Sequence, residues 1–111
     1  IEEPVDLGSA LEPLPAESFV LVDCLTMWLN NLMYQELDVD GYTDHLLETL
    51  AQSELNITLV SNEVGLGGIS ENALTRKFAR LQGTLNQKIA KKSDRVAFVV
   101  AGLPMWLKGG I

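Results

Sequence analysis

Cysteine, histidine and basic residues are all scarce in this chain of 111 residues. The single cysteine, Cys24, permits no intrachain disulfide and no cysteine-built metal cluster. Set in an apolar run, it reads as a reduced, buried thiol of a cytoplasmic protein. Lys and Arg number 8 against 15 Asp and Glu, giving a net charge of −7. That balance excludes the basic surface a nucleic acid needs. It leaves room for a nucleotide, which takes only a few local contacts. No apolar run approaches the roughly 20 residues of a membrane span, and no signal peptide is visible. The single histidine, His45, has no Cys, Asp or Glu at ligand spacing and reads as an exposed or partly packed helix residue. No P-loop is present either. The segment GLGG, Gly65–Gly68, is not G-x-G-x-x-G and has no Walker A lysine.

What is present is organised around Phe19–Asn31, FVLVDCLTMWLNN. A short apolar run, Phe19 to Val22, ends in the carboxylate Asp23. Such a run reads as a strand buried on both faces, here Ser18–Asp23. Before it, Pro4, Gly8, Pro13 and Pro15 predict a loop with at most a helical turn around Leu7–Leu11. After it, Leu25, Leu29, Leu32 and Met33 recur at helical spacing from about Thr26. This helix ends before the acidic, Gly-containing segment Asp38–Gly41. A second helix opens at Gly41 or Thr43, with Leu46, Leu47, Leu50 and Leu55 on its apolar face. Asn56–Ser61, NITLVS, is a second strand rich in β-branched residues.

Ser70 is placed to cap a third helix. Leu74, Phe78, Leu81, Leu85 and Ile89 form one stripe along it. Lys88, Lys91 and Lys92 complement the negative end of its dipole. Gly83, costly in a helix interior, suggests close packing against a neighbour. Asp94–Ala101 is a third strand, ended by Gly102 and Pro104. Met105–Leu107 follows as an apolar tail, either an interface or a further short strand. Strands joined through helices run parallel with right-handed crossovers. The class is therefore α/β, a parallel sheet with flanking helices, in a single domain over residues 1–111. Three strands make a thin sheet, and the chain opens on Ile1 in an acidic stretch. A truncated or processed product, missing N-terminal strands, is the expectation.

Open parallel sheets collect their chemistry at the C-terminal ends of the strands. That edge gathers Asp23, Asn62, Glu63, the glycines Gly65, Gly67 and Gly68, and Gly102. Two carboxylates at neighbouring strand ends can hold Mg²⁺ directly or through water. They can also divide into a metal ligand and a general base. Arg76, Lys77 and Arg80, in the first turns of the third helix, are within reach of an anion. Each feature has a plainer reading. Asp23 can cap the helix that follows it, Glu63 can be a loop residue, and the three cations can be a solvated helix face.

Three stretches in order, VLVDCLTMWLNNLM, LVSNEVGLGGISENALTRKFARLQGTLNQKIA and DRVAFVVAGLPMWLK, resemble the C-terminal part of a known family. It is the bifunctional adenosylcobinamide kinase / adenosylcobinamide-phosphate guanylyltransferase family of cobalamin synthesis. The resemblance runs from about Ile1 to Lys108. Its most specific piece is SNEVGLG followed by Arg76, Phe78, Leu81, Gly83, Asn86 and Gln87. It implies a partial P-loop NTPase-like (RecA/Rossmann-like) fold lacking the N-terminal P-loop strand and helix, in a symmetric homo-oligomer. It implies an enzyme that phosphorylates the aminopropanol hydroxyl of adenosylcobinamide with ATP or GTP. The enzyme then transfers GMP from GTP through a guanylylated histidine, with Mg²⁺ as cofactor. The resemblance implies that Glu2 corresponds to the family's guanine-nucleotide-contacting Glu. It implies likewise that Asp23 matches the acidic residue that contacts the nucleotide or its Mg²⁺, where the family often has Glu. The phosphate loop and the nucleophilic histidine are missing, and His45 lies in the wrong segment to replace it. No catalytic residue is therefore assigned within these residues. The fragment alone is expected to be inactive. The alternative is a non-catalytic α/β interaction module that docks a partner through Met105–Leu107.

Overall fold

A computed structural model describes residues 2–63 and 72–110. The N-terminal segment makes one short helix, α1 (Leu7–Leu11). Then come β1 (Phe19–Asp23), α2 (Leu25–Tyr34), α3 (Val39–Gln52) and β2 (Asn56–Val60). The chain closes with α4 (Ala73–Lys92), β3 (Val96–Val100) and β4 (Leu103–Lys108).

The core is built by helices. Leu25, Leu29 and Leu32 of α2 lie one above another and are buried with Trp28. Leu46 of α3, Leu85 and Ile89 of α4, and Leu7 and Leu11 of α1 close around them. Burying side chains of this size stabilises by roughly 1.5–3 kcal/mol each before entropy is subtracted.

β1 and β2 run parallel in direct register, with Leu21 opposite Thr58 and Asp23 opposite Val60. Val20, Val22, Ile57 and Leu59 face the helical core and are half-buried. The expectation of a strand buried on both faces fails here. Phe19 is 89% exposed and Leu21 66%, because among the described residues helices cover one side of the pair only. Cys24 is likewise half-buried rather than enclosed.

The mixed α/β class, a parallel sheet with flanking helices, holds. The third strand does not join that sheet. β3 pairs antiparallel with β4 in a separate two-stranded sheet. The loop between them has only two residues, Ala101 (φ 51°) and Gly102 (φ 76°). Positive φ at both positions is the tight hairpin turn whose twist suits antiparallel strands. Gly102 thus belongs to this turn and not to the edge where Asp23 sits. Pro104 does not end the sheet. It lies in β4 opposite Val99, tolerable where a strand has a free edge. The apolar tail is therefore β4 itself, and all its residues are exposed. Lys108 donates to the carbonyls of Ala90 and Lys91 at 3.0 and 3.2 Å, tying the hairpin to the C-terminal end of α4.

Three smaller expectations are corrected. α3 begins at Val39, so Gly41 lies inside it, and Asp40 in the first turn suits the positive helix end. Ser70 and the glycines Gly65, Gly67 and Gly68 lie outside the described residues. The cap of α4 is Asn72, whose side chain accepts from Leu74 N at 2.9 Å and Thr75 N at 3.1 Å. Gly83 has open space where a Cβ would stand, so no close packing among the described residues explains it. The α4 stripe is buried at Leu85 and Ile89 and half-buried at Phe78 and Leu81, while Leu74 is exposed.

Candidate functional site

Two concavities flank the parallel pair, one at each end of the strands. The larger, about 420 Å³, is lined by Leu14, Ala16, Ser53, Glu54 and Leu55, beside the strands' N-terminal ends. The smaller, about 270 Å³, lies at the C-terminal end of β1, where parallel sheets hold ligands. It is lined by Glu2, Glu3, Asp23, Cys24, Trp28 and Asn31, among others.

Glu2 arrives there because the N-terminal segment is fastened across α2. Trp28 Nε1 donates to Val5 O at 2.6 Å, and Asn31 Nδ2 donates to Pro4 O at 3.1 Å. The Glu3 carboxylate accepts from the Val5 and Asp6 amides, both at 3.1 Å, and closes the turn before α1. Asp6 caps α1 by accepting from Ser9 N at 3.2 Å. These bonds place Glu2 in the lining of the same concavity as Asp23, and both residues are exposed. The Asp23–Cys24 peptide bond is cis.

Asn62 and Glu63 follow β2, on the same edge as Asp23. They do not line the smaller pocket, and neither does Arg76. All three are exposed. The Asn62 backbone is held from two sides. Its N–H donates to Thr26 Oγ1 of α2 at 2.9 Å, and its carbonyl accepts from Asn86 Nδ2 of α4 at 3.0 Å. Beneath it, Ser61 Oγ donates to Asn86 Oδ1 at 2.6 Å. Gln82 Nε2 donates to both Ser61 Oγ (2.8 Å) and Asn86 Oδ1 (3.0 Å). Gln82 is fully buried, and its Oε1 has no partner among the described residues. An orphaned buried acceptor costs about 1–3 kcal/mol. Nothing in the apolar periodicity of α4 predicts this cluster. A glutamine at a core position is the signal that was there to be read.

Asp23 ends β1 and Glu63 lies three residues beyond β2; carboxylate oxygen is the donor type that suits a hard cation. Among the described residues, no three His, Cys, Asp or Glu side chains gather to form a metal cage. Mg²⁺ does not require one. It keeps most of its waters and binds through one or two carboxylates and substrate phosphates.

His45 has a setting that sequence spacing concealed. Its Nε2 lies 3.1 Å from Glu12 Oε1 and its Nδ1 3.5 Å from Asp6 Oδ1. The two carboxylates flank α1, so the ring clamps α1 onto α3. Gly8 of α1 permits this approach, since a Cβ there would stand 2.7 Å from His45 Nδ1. The arrangement is a contact that packs α1 against α3.

Comparison with known proteins gives a concordant result. The profile of the cobinamide kinase / cobinamide phosphate guanyltransferase family matches residues 1–107. The chain is 45% identical over 112 residues to the bifunctional adenosylcobalamin biosynthesis protein CobP of Pseudomonas aeruginosa. That alignment covers 98% of this chain and 65% of the relative. It is 28% identical over 110 residues to the bifunctional adenosylcobalamin biosynthesis protein CobU of Salmonella typhimurium, covering 86% of this chain and 61% of the relative. It is 29% identical over 104 residues to the protein of the same name from Escherichia coli, covering 80% and 58%. The chain thus spans less than two thirds of the length of the relatives it matches.

Proposed function

The chain belongs to the cobinamide kinase / cobinamide phosphate guanyltransferase family, and on that premise we propose that it works as the C-terminal portion of a bifunctional enzyme. The enzyme phosphorylates adenosylcobinamide with ATP or GTP. It then transfers GMP from GTP to the new phosphate, giving adenosylcobinamide-GDP. The observation that carries the reading is the shared pocket of Glu2 and Asp23, two carboxylates from separate segments at the C-terminal end of β1.

Each residue has a role in this reading. The Glu2 carboxylate, an acceptor only, takes the paired N–H donors on the edge of guanine. Asp23, aided by Glu63, would hold Mg²⁺ through oxygen. The ion, when bound, neutralises charge that develops on the phosphates. Asn62 and Arg76 are second candidates for phosphate contact from the neighbouring strand end and from α4. The phosphate loop and the histidine that accepts GMP are assigned to the part of the enzyme outside this chain. No helix among the described residues is long and apolar enough to cross a membrane. We place the enzyme in the cytoplasm, as a homo-oligomer.

Asp23→Ala in the full-length protein tests the site. Removing a charged contact to a nucleotide or its metal is expected to weaken GTP binding at least tenfold, about 1.4 kcal/mol, and to slow guanylylation. Unchanged affinity and guanylylation would sink the role given to Asp23. One observation favours a non-catalytic module instead, the exposed apolar residues of the β3–β4 hairpin. That reading predicts no GTP binding by the full-length protein at all.

A further inference from the structure

The polar cluster at the end of β2 has a role that the pocket does not explain. We propose that Thr26 and Asn86 are positioning residues that hold the Asn62–Glu63 backbone on the strand edge shared with Asp23, so that this edge keeps one fixed shape for a metal–nucleotide complex bound at Asp23. This rests on the nucleotide-site reading above.

The argument follows from register and from which atoms are tied. Asp23 is opposite Val60, the last residue of β2. Beyond that point the ladder stops, and backbone groups need other partners. On the first strand the chain turns at once into α2, which begins at Leu25. On the second it runs on through Ser61, Asn62 and Glu63. A free strand end of this kind would fray. Here it is stapled at a single peptide unit on each side of Asn62. Thr26, in the first turn of α2, accepts the Asn62 N–H at 2.9 Å. Asn86, in the middle of α4, donates to the Asn62 carbonyl at 3.0 Å. The Asn86 amide is itself oriented. Its Oδ1 takes hydrogens from Ser61 Oγ and Gln82 Nε2, so its Nδ2 must face Asn62.

Gln82 is buried completely and its Oε1 is unpartnered among the described residues. A core kept for stability alone would favour an apolar side chain there. The amide at this position serves orientation. The hydroxyl that receives Asn62 lies three residues after Asp23. The clamp therefore fixes the second strand end to the same helix turn that starts at the first.

The test uses the full-length protein with guanosine 5′-(α,β-methylene)triphosphate, which cannot release GMP. Its binding is measured across a Mg²⁺ series, with thermal unfolding alongside. Thr26→Val keeps shape and removes the acceptor; Thr26→Ser restores it. Asn86→Asp keeps Oδ1 as acceptor and removes the donor to Asn62. Positioning predicts that Thr26→Val and Asn86→Asp each raise the Mg²⁺ concentration for half-maximal binding three- to tenfold. Thr26→Ser is expected to return it to within twofold of the parent. A lowered unfolding temperature with an unchanged Mg²⁺ requirement overturns the proposal, because the cluster is then structural. No change in either quantity also overturns it. Asp23→Ala separates the two claims. If it leaves binding and Mg²⁺ dependence untouched, the site reading itself has failed. If it shifts them while Thr26→Val does not, the clamp alone has failed.

Discussion

The two sheets among the described residues have similar side chains and opposite surroundings. β1 and β2 are rich in Val, Ile and Leu and set one face against a core of helices. β3 and β4 are as apolar, yet Val99, Leu103, Met105 and Leu107 are all more than half exposed. The difference does not lie in strand propensity, which is high in both. It lies in what the chain places next to each strand. α2 and α3 fill the connection between β1 and β2, and a parallel crossover necessarily carries that material. A two-residue turn joins β3 to β4 and carries nothing. A lone two-stranded hairpin is marginal in water, so the tie from Lys108 to α4 matters more than its size suggests.

The largest expected effect contrasts the two regions directly. Leu29→Ala, at a residue with no exposure, is expected to cost about 3–5 kcal/mol in denaturant unfolding. Leu107→Ala in β4 is expected to cost under about 0.5 kcal/mol, as exposed positions do. Equal losses would mean that the hairpin's exposed side chains are covered in solution, and the comparison would collapse.

A smaller effect probes how α1 is held to the core. Gly8→Ala pushes a methyl group against the clamped His45 ring and is expected to cost about 1–3 kcal/mol by overpacking. Hydrogen exchange should show the loss first in α1 and in the segment carrying Glu2. A uniform loss across both sheets would contradict local fastening.

The smallest effect concerns the hairpin tie. Lys108→Met removes the cation at the α4 C-terminus and is expected to cost about 0.3–1 kcal/mol, less at high salt. Faster exchange of the β3 and β4 amides, with β1 and β2 unchanged, would sharpen the distinction between the sheets.

Much of this was readable from residue order. The stripe of α4, the alternation in NITLV and the leucines of α2 each carry their own period, so their elements could be placed without neighbours. The hairpin could not. Its Ala101–Gly102 turn is weaker punctuation than Asn-Gly, and Pro104 mimics a strand terminator. α3 started earlier than expected because Gly41 looks like a break, although the acidic residues beside it favour a helix start. In the site, Asp23 was legible from its place at the end of an apolar run. Glu2 was named by resemblance, and its position at the same pocket depends on Trp28 and Asn31, whose bonds no spacing rule reveals. The His45 clamp joins residues far apart in sequence, whereas Gln82 stands on the apolar stripe of α4, four residues after Phe78 and three before Leu85, and only its burial shows what that position means.

The turn at Ala101 has a consequence in time. A left-handed backbone costs an alanine about 1–2 kcal/mol that glycine would not incur. Such a turn is a weaker hairpin nucleus than Asn-Gly or Gly-Gly, and pairing of the flanking strands has to offset its cost. Although its strand pairing is more local in sequence than that of β1 with β2, the hairpin is expected to settle late. The helical core around Leu29 would form first and offer the C-terminal end of α4 as the anchor on which Lys108, and then the two strands, come to rest.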